Sequence, residues 1–178
     1  MPLNKGYLTA KTDKESDEIF TPPEAVMPIL RHIPSYIRTI WCPFDEEDSA
    51  YVEIFREAGF NVIATHINNG KNFFDYEPEE QYDCIISNPP FSIKDSILKR
   101  LYELKKPYAI LMPLPTLQGQ KRFEYIKDCQ ALILDKRINF YKNKETKEIQ
   151  KGVSFASIYL CKDFLEKDLI FEKLNPYS

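Results

Sequence analysis

The residues best equipped for chemistry in this 178-residue chain are Asn88, Pro89, Pro90 and Phe91. Asn88 offers an amide oxygen and Pro89 a backbone carbonyl, two acceptors on consecutive residues. Proline fixes φ and restricts the residue before it, so the two prolines hold both oxygens in one arrangement. Paired, fixed acceptors suit one chemical problem. A planar exocyclic amine, such as N6 of adenine, is a poor nucleophile because its lone pair is delocalised into the ring. Acceptors on its two N–H groups help it toward tetrahedral geometry, a form of preorganisation. Phe91 adds a ring on which a base can stack. A base in a duplex must first leave the stack to reach such a pocket. No metal or strong general base is required if the electrophile is a methyl group on a positive sulfonium. A plain strand-ending loop uses the same residue types, so placement decides between the two.

The placement favours chemistry. Cys84 to Ser87 is a short apolar run that reads as a buried strand and ends at Asn88. Residues 92–105 read as a helix, with Ile93, Ile97, Leu101 and Leu104 on one face and Pro107 ending it. The rest of the chain alternates in the same way. Strands are expected at 39–42, 61–66, 108–112, 132–134, 138–141, 155–161 and 169–171. Helices are expected from Thr21-Pro22-Pro23-Glu24 with Thr21 as N-cap, at 49–58 with Gly59 as the stop, and at 117–127. Strands alternating with helices predict an α/β fold with a mostly parallel, Rossmann-like sheet covered on both faces. The last two strands read as an antiparallel hairpin that finishes the sheet. Ligands of such sheets bind outside the carboxyl ends of the strands. Asn88 and the segment Trp41-Cys42-Pro43-Phe44-Asp45 are therefore expected on one rim.

Composition bounds the reading without deciding it. The chain is 43% hydrophobic and 29% charged, with a net charge of −3, an ordinary globular balance. One domain spanning residues 1–178 is expected, with 1–16 as a loose polar arm and no separate target-recognition domain. Cys42, Cys84, Cys129 and Cys161 lack metal-ligand spacing, and only two histidines are present, so free thiols and no metal site are expected. No signal peptide and no apolar run of membrane-spanning length is read, so the expectation is cytoplasmic, away from membranes.

The segment Asn88-Pro89-Pro90-Phe91 resembles motif IV of S-adenosylmethionine-dependent amino-methyltransferases, above all the adenine-N6 DNA methyltransferases. Other segments follow in that family's order. Thr21-Pro22 resembles motif X, Trp41 to Asp45 stands at motif I, and His66 ends the second strand at motif II. Gly70-Lys71-Asn72-Phe73-Phe74 resembles motif III, and Lys151-Gly152-Val153-Ser154-Phe155-Ala156-Ser157 resembles motif VIII. The resemblance covers roughly residues 18–172 and is greatest to the small enzymes of phages and prophages. It implies a seven-stranded class I methyltransferase fold and S-adenosylmethionine as cofactor. It also implies that Thr21, Pro22, Pro43, Asp45, His66, Asn72, Phe73 and Asn88 line the cofactor, and that Phe155 or Phe140 contacts the base. The chain departs from the family in three places. The loop after the first strand has no glycine, and His66 and Asn72 stand where acidic residues are usual.

Residues 136–151 hold six basic and two acidic residues beside the motif VIII segment. Lys136, Arg137, Lys142 and Lys144 are expected to meet nucleic-acid phosphates, DNA before RNA. With no separate recognition domain expected, four routes to a target stay open: a short site, residues 136–151 themselves, a partner protein or self-association, or a single-stranded or RNA substrate. Two other classes stay open: methylation of a glutamine side-chain amide, which poses the same lone-pair problem, and a catalytically silent fold that binds nucleic acid or protein.

Overall fold

Alternation of side chains along buried strands is what organises this protein. In β1 (Thr39–Cys42), Ile40 and Cys42 face one apolar cluster while Trp41 faces another. The pattern repeats in β3 (Cys84–Ser87), where Cys84 and Ile86 oppose Ile85, and in β4 (Tyr108–Pro113), where Ala109 and Leu111 oppose Tyr108, Ile110 and Met112. A sheet buried on both faces results. The computed structural model describes residues 19–151 and 155–175; the N-terminal arm expected at 1–16 and Gly152, Val153 and Ser154 of the motif VIII segment lie outside them.

The remaining elements are α1 (Pro23–Leu30), α2 (Ala50–Glu57), β2 (Asn61–Ala64), α3 (Lys94–Leu104), α4 (Phe123–Ile126), β5 (Gln130–Leu134), β6 (Tyr141–Asn143), β7 (Glu148–Ile149), β8 (Ser157–Lys162) and β9 (Leu169–Glu172). Helices α1 and α2 supply Val26, Ile29, Val52 and Phe55 to the first cluster. Helix α3 supplies Ile97, Leu98 and Leu101 to the second. Seven strands form one sheet in the order β2-β1-β3-β4-β8-β5-β9. Neighbouring strands are parallel except where β8 lies antiparallel between β4 and β5. This is a Rossmann-like α/β arrangement: a mostly parallel sheet, helices on both faces, and one reversed strand near the C-terminal end.

Four local expectations are corrected. Strands β8 and β9 do not pair with each other; β9 runs parallel to the far side of β5. The Gln130 side chain accepts from the Phe164 and Leu165 amides at 2.9 Å each and fixes that detour. Thr21 is not the N-cap of α1; Pro22 holds that position without a side-chain cap. The helix expected at 117–127 is reduced to the single turn α4, preceded by 3-10 turns at Leu114–Leu117 and Gln120–Arg122. Between those turns a Cβ on Gly119 would lie 2.4 Å from the Arg122 guanidinium, which reaches back to Asp95 and to the Gln118 carbonyl. The strand expected at 138–141 is instead an extended approach to β6. Ile138 and Phe140 are buried and Asn139 is exposed, so the alternation is real, but ladder bonds begin only at Phe140, whose carbonyl accepts from the Gln150 amide at 2.8 Å, and at Tyr141, the first residue of β6.

All four cysteines are free thiols, and Cys42, Cys84 and Cys161 are buried. Burial pushes the Cys42 thiol well above its ordinary range, which makes it inert. Among the described residues no cluster of potential metal ligands occurs, and no helix is long and apolar enough to cross a membrane.

Candidate functional site

The order of strands reverses beside β1: the chain crosses from β1 to β2 on one side and later returns to β3 on the other. Such a switch opens a crevice at the carboxyl ends of the two strands. Both expected segments start there. Asp45 lies three residues beyond β1, and Asn88 immediately follows β3.

Ser87 ties the two loops together. It is fully buried at the end of β3, and its Oγ accepts from the Phe44 amide at 3.3 Å while donating to the Asp45 carboxylate. Asp45 is only 7% exposed. Burial raises its pKa from 3.8 to about 6, against the opposing hydrogen bonds of Ser87 and Ser49 and the more distant charge of Lys144. Among the described residues this carboxylate has no ion-pair partner. Sequence reasoning missed Ser87, although a lone hydroxyl closing an apolar strand directly before Asn88 is a legible sign.

Asn88 is held from the opposite side. Its Nδ2 donates to Thr21 Oγ1 at 2.9 Å, which sets the rotation of the amide. Its Oδ1 is thereby turned the other way, buried and without a hydrogen-bond partner. Buried polar atoms are paired in the great majority of cases, so an orphan acceptor at a strand end is a place for a ligand donor. Pro89 is buried behind it, and the chain then turns through Phe91–Ile93 into α3.

Three rings gather beside the prolines. Phe91 meets Phe155 edge to face at 5.3 Å and Phe140 at 6.4 Å. Phe140 is 1% exposed and backs the cluster, whereas Phe91 and Phe155 are half-buried. A base sandwiched between two rings needs about 7 Å between them, twice a contact distance of about 3.5 Å. The Phe91–Phe155 pair, at 5.3 Å, therefore leaves no room for a third planar ring between them.

The other residues expected to line the cofactor, His66, Asn72, Phe73 and Pro43, are engaged locally. His66 caps the 3-10 turn Ile67–Asn69, with Nδ1 accepting from the Asn68 amide at 3.2 Å. Asn72 Oδ1 accepts from the Phe74 amide at 3.1 Å, and Nδ2 donates to Asp75 at 3.3 Å. Phe73 is 2% exposed and packs against Trp41 at 5.5 Å and Phe44 at 4.9 Å. Trp41 is fully buried and donates to Thr65 Oγ1 at 2.9 Å, so it is a core residue. Pro43 is buried. Of this group, Phe44 is the partly exposed ring on the rim.

The basic segment forms the β6–β7 hairpin and its approach. Tyr141 and Phe20 exchange two backbone hydrogen bonds of 2.9 Å, which anchors the hairpin next to Thr21. Lys144 is paired with Asp48 in the loop after β1. Lys136, Arg137 and Lys142 are exposed and have no ion-pair partner among the described residues.

No protein-family model matches the chain, and no curated protein matches it. Among solved structures it is similar to one described as the modification subunit of a type I restriction enzyme from Vibrio vulnificus YJ016. That match has 13% identity and a TM-score of 0.44, and covers 92% of this chain and 48% of the other. A second is described as a class I S-adenosylmethionine-dependent methyltransferase from Listeria monocytogenes, with 11% identity, a TM-score of 0.46, and coverage of 95% and 69%. A third, described as a methyltransferase from Thermoplasma acidophilum, has 12% identity, a TM-score of 0.33, and coverage of 76% and 59%. The chain spans about half the length of the first of these proteins.

Proposed function

We propose that this protein transfers a methyl group from S-adenosylmethionine to the exocyclic N6 of adenine in nucleic acid, with DNA as the substrate. The observation that carries the reading is the buried, partnerless Oδ1 of Asn88, oriented by Thr21 and followed by two prolines. An amine N–H donates to that oxygen, and the Pro89 carbonyl receives the second. Together they draw the amine lone pair out of conjugation and toward the methyl group. Phe91 stacks the base, Phe155 moves to admit it, and Phe140 supports Phe91 from behind.

The rim also fits the cofactor at its amino-acid end. Asp45 is a buried carboxylate without a cation, and an ammonium group would meet that need. When bound, the cofactor supplies an electrophilic methyl whose transfer discharges the sulfonium. The amine held by Asn88 and Pro89 gives up one proton to water. Thr21 and Pro22 border this end, Asp45 and Ser87 fix its charge, and His66, Asn72 and Phe73 shape the nucleoside end. Lys136, Arg137 and Lys142 hold the phosphates of the strand that presents the base.

The test is transfer of labelled methyl groups to adenine-containing oligonucleotides by the wild-type protein and by Asn88→Ala. Label in N6-methyladenine that disappears in the variant supports the reading. Label in glutamine of an added peptide but not in DNA would replace it. A second reading rests on a separate observation. Phe73 is buried, both amide groups of Asn72 are engaged, and no glycine opens the loop after β1. A silent fold that binds nucleic acid without cofactor would look the same there. Titration with S-adenosylmethionine separates the two, since only the enzyme binds it saturably.

A further inference from the structure

Asn88 Oδ1 is one of three buried side-chain polar atoms without a hydrogen-bond partner among the described residues. The others are Thr116 Oγ1 and Ser157 Oγ. Thr116 is 0% and Ser157 6% exposed. The three are scattered in sequence but not in the fold. Asn88 follows β3, Thr116 lies in the 3-10 turn Leu114–Leu117 that follows β4, and Ser157 opens β8. These strands are consecutive in the sheet. Because β8 runs against β4, its first residue lies at the last residue of β4, with Ser157 opposite Pro113. The Leu114 amide then donates to the Ala156 carbonyl at 2.8 Å, fixing the turn that carries Thr116 against the start of β8. Phe155, two residues before Ser157, touches Phe91.

Every partnerless buried side-chain atom of the described residues thus lies along one rim, at the end of three adjacent strands. Folding selects against such atoms, and their concentration in one place is expected where a ligand completes them. A hydroxyl can donate as well as accept. With an amine at Asn88, the neighbouring positions of an adenine ring are N1 and N7, both acceptors. A cytosine offers a ring nitrogen on one side of its amine only, and a glutamine amide offers a carbonyl.

We infer that Thr116 and Ser157 read the edge of the target base, donating their hydroxyl hydrogens to the two ring nitrogens that flank the amine held by Asn88. This rests on the methyl-transfer reading above and adds to it the reason for choosing adenine.

The experiment uses the full chain and the variants Thr116→Val and Ser157→Ala. Each removes a hydroxyl and keeps most of the side-chain volume. Thermal midpoints are measured first, without cofactor or nucleic acid. Because neither hydroxyl has a partner to lose, both midpoints are expected to stay level or rise. Then kcat/KM is measured on oligonucleotides that carry adenine, 7-deazaadenine or 1-deazaadenine at the target position. On adenine each variant is expected to lose about 10- to 100-fold. On the analogue lacking the nitrogen that its hydroxyl meets, the same variant loses nothing further. Midpoints lower by about 4 °C or more would show structural partners and overturn the inference. So would variants as fast as wild type on adenine, or losses that multiply independently on both analogues. In those cases wild type still methylates adenine, and the proposed function stands. If wild type methylates no adenine substrate, the function and the edge-reading role fall together.

Discussion

Asn88 and Thr21 are 67 residues apart in sequence and meet through one hydrogen bond, Nδ2 to Oγ1 at 2.9 Å. That bond decides which end of the Asn88 amide faces the crevice. Without it the amide can present its NH2 group, which repels an incoming amine N–H. Thr21→Val is therefore expected to slow methyl transfer by about 10- to 100-fold while changing stability by no more than about 1 kcal/mol. Thr21→Ser keeps the acceptor and should recover most of the rate. Single-turnover kinetics on an adenine oligonucleotide, with urea unfolding of each variant, make the comparison. Equal rates for valine and threonine would mean that Asn88 orients itself.

Asp45 makes the protein's stability depend on pH in an unusual direction. Its folded pKa is raised from 3.8 to about 6 by burial, so between those values the folded state holds a proton that the unfolded state has released. Stability then falls as pH rises through that window. The penalty is absent below about pH 4 and complete above about pH 6. Each tenfold change in proton affinity is worth about 1.4 kcal/mol. Asp45→Asn is therefore expected to stabilise the free protein by roughly 2–3 kcal/mol at about pH 8, and by almost nothing at about pH 4. Cofactor affinity should move oppositely in wild type, weakening below about pH 6 as the carboxylate is neutralised. Denaturant unfolding and titration calorimetry at several pH values test both halves. A gain from Asp45→Asn that is independent of pH would remove the buried-charge account.

Ser87 supports that carboxylate and spans the crevice floor. Replacing it with alanine leaves the Phe44 amide without its acceptor and takes one of two hydroxyl donors from Asp45, which keeps Ser49. The expected cost is about 1–3 kcal/mol. The Asp45 pKa should rise further, since the Ser87 hydrogen bond opposes the effect of burial. The pH profile of Ser87→Ala unfolding would then extend its falling region to higher pH. A parallel profile, lower by a constant amount, would show that Ser87 matters only to packing.

The parts legible in the sequence were those governed by local pattern. Ile40, Ile85 and Ile110 lie in short apolar runs bounded by breakers, and the positions of β1, β3 and β4 followed from them. The shared rim of Asp45 and Asn88 followed from the rule that parallel strands end together. What local pattern did not reveal depended on distant partners. The path of β9 is set by Gln130, some 35 residues upstream of the amides that it holds. The role of Thr21 depends on a side chain in another motif, so a threonine before proline looked like a cap. Phe140 and Phe73 have the right ring for contacting a base or a cofactor, but composition says nothing of what covers them. Lys144 read as a phosphate contact because its partner Asp48 lies nearly a hundred residues away in the chain.

That pairing separates these basic residues of the segment into two kinds. Lys136, Arg137 and Lys142 face solvent without ion-pair partners among the described residues, whereas Lys144 is neutralised by Asp48. If the segment holds nucleic acid, only the unpaired residues release counterions when they bind phosphate. The variants Arg137→Ala and Lys142→Ala are each expected to lower the slope of log affinity against log salt by about 0.9 for duplex DNA, or about 0.7 for a single strand. Lys144→Ala should change that slope little. Its effect is expected at the cofactor end, because Lys144 holds down the Asp45 pKa and its loss lets that pKa rise. Salt-dependent anisotropy with labelled oligonucleotides gives the slopes, and cofactor titration near the Asp45 pKa of about 6 gives the second effect. Unchanged slopes for Arg137→Ala and Lys142→Ala would move the nucleic-acid path off this hairpin. A large drop for Lys144→Ala would mean that its pair with Asp48 opens on binding.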